Sequence, residues 1–145
     1  MQPAVHVIAT TLEGTRAALE AAVPLADGSK AGLVVFVPRI ASFPAEADST
    51  DATAAFVKIY EEIVCHLGAK AEIEVCSCRS LDDLAARVCN AAMLIVVGGP
   101  AGRWLTSPEE RFANRLADAG CRVLFATTGT NNTQRRKAFP PAAAL

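Results

Sequence analysis

Hydrophobic residues along the chain form two kinds of segment: short apolar runs, and longer stretches in which apolar residues recur every three or four positions. Alternation of such segments is typical of strands and helices that take turns along a chain. The third run alternates apolar with polar residues, which predicts an edge strand, and the other four predict buried strands. The five predicted strands are Val5–Ala9, Gly32–Val37, Ala71–Cys76, Leu94–Val97 and Arg122–Ala126.

Helical segments fill the gaps between these strands, so the order is βαβαβαβαβ. Such an order is typical of a parallel sheet wound by right-handed crossovers. The predicted fold class is therefore α/β, a single domain with a five-stranded parallel sheet and helices on both faces. We place the domain at residues 1–127 and a polar, then basic, C-terminal tail at residues 128–145.

Local signals predict where several elements begin and end. Ser107–Glu110 has a Ser cap, a Pro in the first turn and a Glu that reaches back, and Ser80–Asp83 is a similar capping box. In the first helix, Thr15 is the expected N-cap, and Pro24 is expected to end or kink the helix because it lacks an N–H donor. Pro38 is expected to end the second strand.

Composition narrows the class of protein. The chain has 145 residues, of which 52% are hydrophobic, and a net charge of −1 at pH 7. That balance predicts no nucleic-acid partner, because nucleic-acid-binding domains usually carry a basic face. No apolar run approaches the roughly 18 residues of a membrane span. Because Met1–His6 also lacks the features of a signal peptide, we expect a cytoplasmic protein with no membrane partner.

Five cysteines offer a second, chemical interpretation. In a reducing cytoplasm we expect them to be free thiols that pack as small hydrophobic residues. Cys76-Ser77-Cys78 is either such a packing feature or a redox pair. His6 and His66 stand apart from any cysteine pair at metal-site spacing, so no metal is expected.

Catalytic patterns are missing from the sequence. No grouping of nucleophile, base and acid stands out, and no paired carboxylates do, so we expect that the protein is not an enzyme. A phosphoacceptor receiver domain shares the predicted architecture but needs acidic residues after the first and third strands. Thr10-Thr11 and Ser77-Cys78 stand at those places, so that interpretation is rejected.

The segment after the fourth predicted strand is the candidate ligand loop. Gly98, Gly99 and Gly102 form either a phosphate cradle or a tight turn that needs glycine. Arg103 suits a phosphate, yet it is equally a solvated loop charge. Ser107 either donates to a phosphate or caps the following helix.

Taken together, these segments resemble the universal stress protein family over about residues 4–126. The resemblance implies a Rossmann-like, adenine-nucleotide α-hydrolase-like fold and a homodimer that pairs through the fifth strand. It is carried by Val7–Ala9 with Glu13–Ala22, by Leu33–Pro38, by Leu94–Gly98 with Gly102-Arg103, and by Cys121–Leu124.

One branch of that family binds ATP through Gly, two residues, Gly, nine residues, then Gly with Ser or Thr. Gly99 and Gly102 match the first half, but Thr106-Ser107 comes about six residues too early for the second. Thr10 stands where the resemblance implies an Asp. The ligand residues that the resemblance implies are Thr10, Val37, Gly99, Gly102, Arg103, Thr106 and Ser107, with no catalytic or metal-binding residue.

The resemblance implies a stress-response or regulatory protein of the cytoplasm, a non-catalytic homodimer with weak or lost nucleotide binding and no required cofactor. The alternative is an ATP or AMP sensor that uses the altered glycine loop. A third interpretation is a small-molecule or redox module built on Cys76 and Cys78. The sequence names no protein partner.

Overall fold

The computed structural model describes residues 4–40, 50–91, 94–100, 107–128 and 136–139. Helices and strands alternate along the chain up to the fifth strand, as the sequence predicts. The elements are β1 (Ala4–Ile8), α1 (Leu12–Ser29), β2 (Gly32–Ile40), α2 (Thr50–His66), β3 (Glu72–Cys78), α3 (Leu81–Ala91), β4 (Leu94–Gly99), α4 (Pro108–Asp118), β5 (Val123–Thr127) and β6 (Arg136–Phe139).

The strands form one sheet in the order β3-β2-β1-β4-β5-β6. The first five are parallel, which confirms the predicted α/β class and its five-stranded parallel sheet. A further strand, β6, pairs antiparallel with β5 and lies within the segment 128–145 that the sequence analysis assigns to a tail. The predicted edge position of the alternating strand is confirmed, because β3 ends the sheet on one side.

Two apolar layers cover the faces of the sheet. On one face, α1 and α2 pack against side chains such as Val5, Val7 and Val96. On the other face, α3 and α4 pack against side chains such as Ile8 and Ile95. Successive residues of a strand point to opposite faces, so the unbroken apolar run of β4 follows directly from burial on both sides.

The first helix begins earlier than predicted. Thr11, not Thr15, is its N-cap, and the Thr11 Oγ1 accepts a hydrogen bond from the Gly14 N–H at 3.0 Å. Thr15 is fully buried inside α1, and its hydroxyl donates to the Thr11 carbonyl oxygen at 2.7 Å. Two threonines near one helix start are equally good caps by type, so only the surrounding fold decides between them.

Pro24 lies inside α1, so of the two expected effects, an end or a kink, the end of the helix is corrected. Asp27–Ser29 is helical as well, and Lys30 ends the helix in a left-handed conformation with φ of 55°. A proline inside a helix costs about 3 kcal/mol. Burial of the α1 face from Ala17 to Ala26 against the sheet outweighs that local cost.

Pro38 lies inside β2, which is a second correction. The Ala9 N–H donates to the Phe36 carbonyl at 2.9 Å, so the backbone groups of Phe36 face β1. The backbone groups of Pro38, two residues later in the strand, face the same side as those of Phe36. No residue of β1 pairs with β2 that far along, because the pairing of the two strands ends at Ile8 and Phe36. The missing N–H therefore breaks no ladder hydrogen bond, while β2 continues to pair with β3 as far as Ile40.

The two predicted capping boxes differ in outcome. In α4 the box is complete, with Ser107 as N-cap and Glu110 reaching back. In α3 the Asp83 N–H donates to Ser80 Oγ at 3.1 Å, but the Asp83 carboxylate accepts from the Arg79 N–H at 3.0 Å instead of from Ser80. Ser80 thus caps α3 as predicted, and only the reciprocal hydrogen bond of the box is shifted, to the N–H of the preceding residue.

Cys89 and Cys121 form a disulfide, with their Cα atoms 5.2 Å apart. This corrects the expectation that every cysteine is a free thiol. The pairing joins α3 to the segment between α4 and β5, and 32 residues separate the two cysteines along the chain. Cys65, Cys76 and Cys78 are free.

Of the helices in the described ranges, none is both long enough and apolar enough to cross a membrane.

Candidate functional site

A cavity of about 240 Å³ lies at the carboxyl ends of β1 and β2, between those strands and the helices α3 and α4. In open α/β sheets this is the side on which ligands bind. A larger depression of about 380 Å³ lies at the opposite, amino ends of β1 and β2 and is a poorer candidate for that reason. The cavity is lined by Ile8 to Thr11, Pro38, Leu84, Pro108, Glu109 and Phe112.

Thr10 stands at the rim of this cavity, immediately after β1. Its hydroxyl donates to the Gly98 carbonyl of β4 at 2.8 Å, and its N–H donates to the Thr15 hydroxyl at 3.0 Å. The side chain thus ties the turn after β1 to the end of β4. Its hydroxyl proton is used within the chain, which leaves only its oxygen lone pairs for a ligand.

Gly98 has a packing role that the sequence analysis did not separate from a phosphate-binding role. A Cβ at Gly98 would overlap the Gly14 carbonyl group, with the carbonyl carbon 2.9 Å away and the Ala18 nitrogen 3.0 Å away. A Cβ at Gly14 would in turn stand 2.9 Å from the Gly98 carbonyl carbon. Both glycines are needed because α1 crosses β4 at backbone contact.

Gly99 ends β4, and the side chain of Glu109 lies directly against it. A Cβ at Gly99 would stand 2.6 Å from both Cβ and Cγ of Glu109. The Gly99 carbonyl oxygen accepts a hydrogen bond from the Thr128 N–H at 3.0 Å. At the point where a phosphate loop would begin, the β4 backbone is therefore covered by an acidic side chain of α4.

One carboxylate oxygen of Glu109 is buried. Its Oε2 is buried and has no hydrogen-bond partner in the part of the chain that the structure describes. A buried carboxylate oxygen without a partner is costly, and such atoms are few in folded proteins.

Ser107 is buried and its hydroxyl is fully engaged in the cap of α4. It accepts from the Glu110 N–H at 3.1 Å and lies 3.4 Å from Glu110 Oε1. The helix-cap interpretation of Ser107 therefore has direct geometric support. Its role as a ligand residue stays a prediction.

The other predicted ligand residues are placed differently. The Val37 side chain packs against the apolar layer of α1 and α2, whereas the next residue, Pro38, lines the cavity. Gly102, Arg103 and Thr106 lie outside the described residues. Of the seven predicted ligand residues, Thr10 lines the cavity and Gly99 and Ser107 lie close to Glu109 or its helix start.

Several residues of the cavity wall were not predicted as ligand residues from the sequence. Leu84 and Phe112 are apolar residues of amphipathic helices, and nothing in their spacing separates a cavity wall from a core position. Glu109 is explained in the sequence by the helix-start signal, and no further sequence feature indicates its contact with Gly99.

Groupings that support catalysis or metal binding are sparse. Among the described residues there is no cluster of three or more His, Cys, Asp or Glu side chains that could hold a metal ion. His6 is buried within β1, and burial lowers its pKa, opposed by a backbone hydrogen bond at Ala4 and by the charge of Glu74. A neutral histidine in the middle of the sheet is away from the cavity, whose lining begins at Ile8.

The sheet order and the helices on both of its faces place the chain in the class of doubly wound α/β folds. More narrowly, the chain has the fold of the universal stress proteins, which confirms the predicted fold. No protein-family model matches the sequence, and no curated protein sequence does either. The fold assignment therefore comes from solved structures.

Three of these structures illustrate the similarity. A universal stress protein in complex with cAMP matches 88% of this chain and 98% of its own, at 19% identity and a TM-score of 0.60. A universal stress protein from Archaeoglobus fulgidus matches 77% and 84%, at 16% identity and a TM-score of 0.59. A family protein from Arabidopsis thaliana with AMP bound matches 88% and 93%, at 15% identity and a TM-score of 0.57.

Proposed function

We propose that this chain is a universal stress protein of the cytoplasm, a non-catalytic regulatory homodimer in which nucleotide binding is weak or lost. One observation supports the proposal that nucleotide binding is weak or lost. The Glu109 side chain covers the backbone of Gly99, where the resemblance places the start of the phosphate loop.

Charge gives the physical reason. A nucleotide phosphate is stabilised by backbone N–H groups and helix N-termini that converge on it. Here the first turn of α4 carries two carboxylates, Glu109 and Glu110. A phosphate that approached Gly99 would meet a like charge at short range as well as the bulk of the Glu109 side chain.

Thr10 supports the same conclusion. The resemblance implies an Asp carboxylate at this position, but the chain has a threonine. The Thr10 hydroxyl donates a hydrogen bond to the Gly98 carbonyl. A threonine at this position ties β1 to β4 and offers a nucleotide one weak acceptor in place of an anionic one.

Thermal unfolding of the purified chain with millimolar AMP, cAMP and Mg-ATP tests the proposal. A ligand at 100 times its dissociation constant adds about 2.7 kcal/mol of stability. For a chain of 145 residues that is a rise of several degrees in Tm. We expect less than about one degree, and a rise of several degrees with any of the three would reject weak or lost binding.

A second candidate function, a sensor of AMP or a related nucleotide, is favoured by the cavity itself. Apolar groups such as Leu84 and Phe112 line it on the side of the sheet where α/β proteins bind ligands. One universal stress protein of the same fold is in complex with cAMP, and one family protein of the same fold has AMP bound. The same thermal experiment decides between the two functions.

The homodimer is proposed at the β5 side of the sheet. In this chain β6 covers the outer edge of β5, so contact between two copies runs along β6 or requires β6 to leave. An exposed strand edge offers unpaired backbone groups to a second copy.

A further inference from the structure

The two thiols of Cys76 and Cys78 lie together at the end of β3. Their Sγ atoms are 4.0 Å apart, on the same face of the strand because the residues are two positions apart. Cys76 is partly exposed, whereas Cys78 is buried with 2% of its surface accessible. One thiol is therefore partly accessible to solvent, and its neighbour along the strand is buried.

A guanidinium group stands over the more exposed sulfur. Arg87 of α3 places its Nη1 3.3 Å from Cys76 Sγ. The Arg87 Nε is 3.3 Å from Asp83 Oδ1, and the other carboxylate oxygen of Asp83 accepts from the Arg79 N–H. This chain of contacts orients the guanidinium toward the sulfur, so that a cation lies beside the more accessible thiol.

Cys78 has the opposite character. Burial, the hydrogen bond to Cys76 and the negative charge of a Cys76 thiolate raise the pKa of Cys78 to about 11. The two thiols are thus chemically distinct, since one is accessible beside a cation and the other is buried and held as a thiol. A nucleophilic thiol with a second thiol in reach is the arrangement that thiol–disulfide exchange needs.

We infer that Cys76 and Cys78 form a thiol–disulfide exchange site for a low-molecular-weight disulfide, with Cys76 as the attacking residue, Cys78 as the resolving residue and Arg87 as the positioning cation. This site does not depend on nucleotide binding. It lies beside the ligand cavity, because Cys76 pairs with Pro38 of the cavity wall in the β2–β3 ladder.

Exchange proceeds in two steps. The Cys76 thiolate attacks one sulfur of the disulfide RS–SR, forms Cys76–S–SR and releases RS⁻. The RS⁻ takes the proton of Cys78, and the Cys78 thiolate then attacks Cys76 Sγ and expels the second RS⁻. Two protein thiols are oxidised to one disulfide while RS–SR is reduced to two thiols. Because the thiolate is the attacking form, the second step is the slower one.

Alkylation rates test the role of Arg87. The chain is treated with iodoacetamide at pH 7, and each cysteine peptide is followed by mass spectrometry, with the exposed free thiol of Cys65 as internal reference. We expect Cys76 to react about fivefold faster than Cys65, because a guanidinium 3.3 Å from its sulfur activates a cysteine toward attack. Arg87→Gln should bring Cys76 to the rate of Cys65.

Arg16→Gln is the matched control for this variant. Arg16 forms an ion pair of the same i,i+4 type with Glu20, at 3.4 Å on the surface of α1. It should leave the Cys76 rate unchanged. Equal rates for Cys76 and Cys65 in the parent chain, or an Arg87→Gln variant that reacts as fast as the parent, would overturn the inference.

Oxidised glutathione tests the resolving step. The parent chain should lose the thiols of Cys76 and Cys78 and retain no glutathione on Cys76, whereas Cys78→Ala should keep one glutathione on Cys76. Since Cys78 is buried, circular dichroism checks that this variant folds, and Cys78→Ser serves as a second variant. Glutathione retained on Cys76 of the parent chain, or modification of Cys65 in its place, contradicts an exchange pair.

Discussion

Gly99 at the end of β4 and Glu109 in the first turn of α4 are in direct contact. A side chain on Gly99 would stand 2.6 Å from Cβ and Cγ of Glu109. The contact places a carboxylate against the backbone of β4, beside the cavity of about 240 Å³ at the carboxyl ends of the strands. It is therefore the relationship on which the proposed loss of nucleotide binding depends.

Removing the charge of Glu109 should increase the affinity for AMP. Glu109→Gln keeps the size of the side chain and removes the like charge, and we expect about a tenfold lower Kd, equivalent to about 1.4 kcal/mol. Isothermal titration calorimetry measures the change. Glu13→Gln, on the exposed first turn of α1, is the matched control and should leave the Kd unchanged. An unchanged Kd in Glu109→Gln would show that this carboxylate does not exclude the phosphate.

Gly98→Ala should destabilise the protein severely. A Cβ there meets the Gly14 carbonyl group and the Ala18 nitrogen, both of which are backbone and cannot rotate away. We expect a loss of about 3 kcal/mol in the free energy of unfolding, measured by urea denaturation.

Gly28→Ala is the control for that substitution, because a Cβ at Gly28 meets nothing within 4 Å. It lies inside α1, so the variant should be stabilised by about 0.5 to 1 kcal/mol. If both variants unfold at the same urea concentration as the parent chain, α1 and β4 do not cross at backbone contact.

Stability should fall as the pH drops below the ordinary histidine range. Burial lowers the pKa of His6 below its value of 6.5 in an unfolded chain. The unfolded state therefore binds the proton first, so stability is complete above pH 6.5 and decreases as the pH falls from there toward the lower pKa of the folded state. The slope cannot exceed about 1.4 kcal/mol per pH unit for one group.

Urea denaturation at pH 7.5 and about pH 5.5 measures this effect. His6→Leu should remove most of the difference, while His66→Gln, at an exposed position of α2, should retain it. The Asp83 carboxylate, whose pKa a backbone hydrogen bond from Arg79 lowers from 3.8, titrates below this range. Equal pH dependence in the parent chain and His6→Leu would assign the effect to another group.

Cutting the chain after Thr128 should expose the outer edge of β5, which β6 covers in the full chain. If copies pair through β5, the shortened chain dimerises more tightly than the full chain. If they pair through β6, the shortened chain becomes a monomer. Sedimentation equilibrium of both chains measures the dissociation constants, and monomers in both cases would reject the proposed homodimer.

The sequence by itself determined the order of the elements as far as β5, the parallel α/β class, the edge position of β3 and the cap at Ser107. All of these depend on signals within one or two turns of chain: the period of apolar residues, a Ser followed by a Glu, or an alternation that leaves one face polar. These signals reflect interactions between residues that are close in sequence. They can therefore be recognised without knowledge of the rest of the fold.

Tertiary structure alone decided the remaining features. Pro24 and Pro38 remain inside their elements because burial and ladder position, and not the proline itself, set the ends of α1 and β2. The Thr10–Gly98 hydrogen bond joins residues 88 positions apart, and the contact of Glu109 with Gly99 depends on how α4 docks on the sheet. Contacts of this kind arise from the packing of whole elements, which no local spacing encodes.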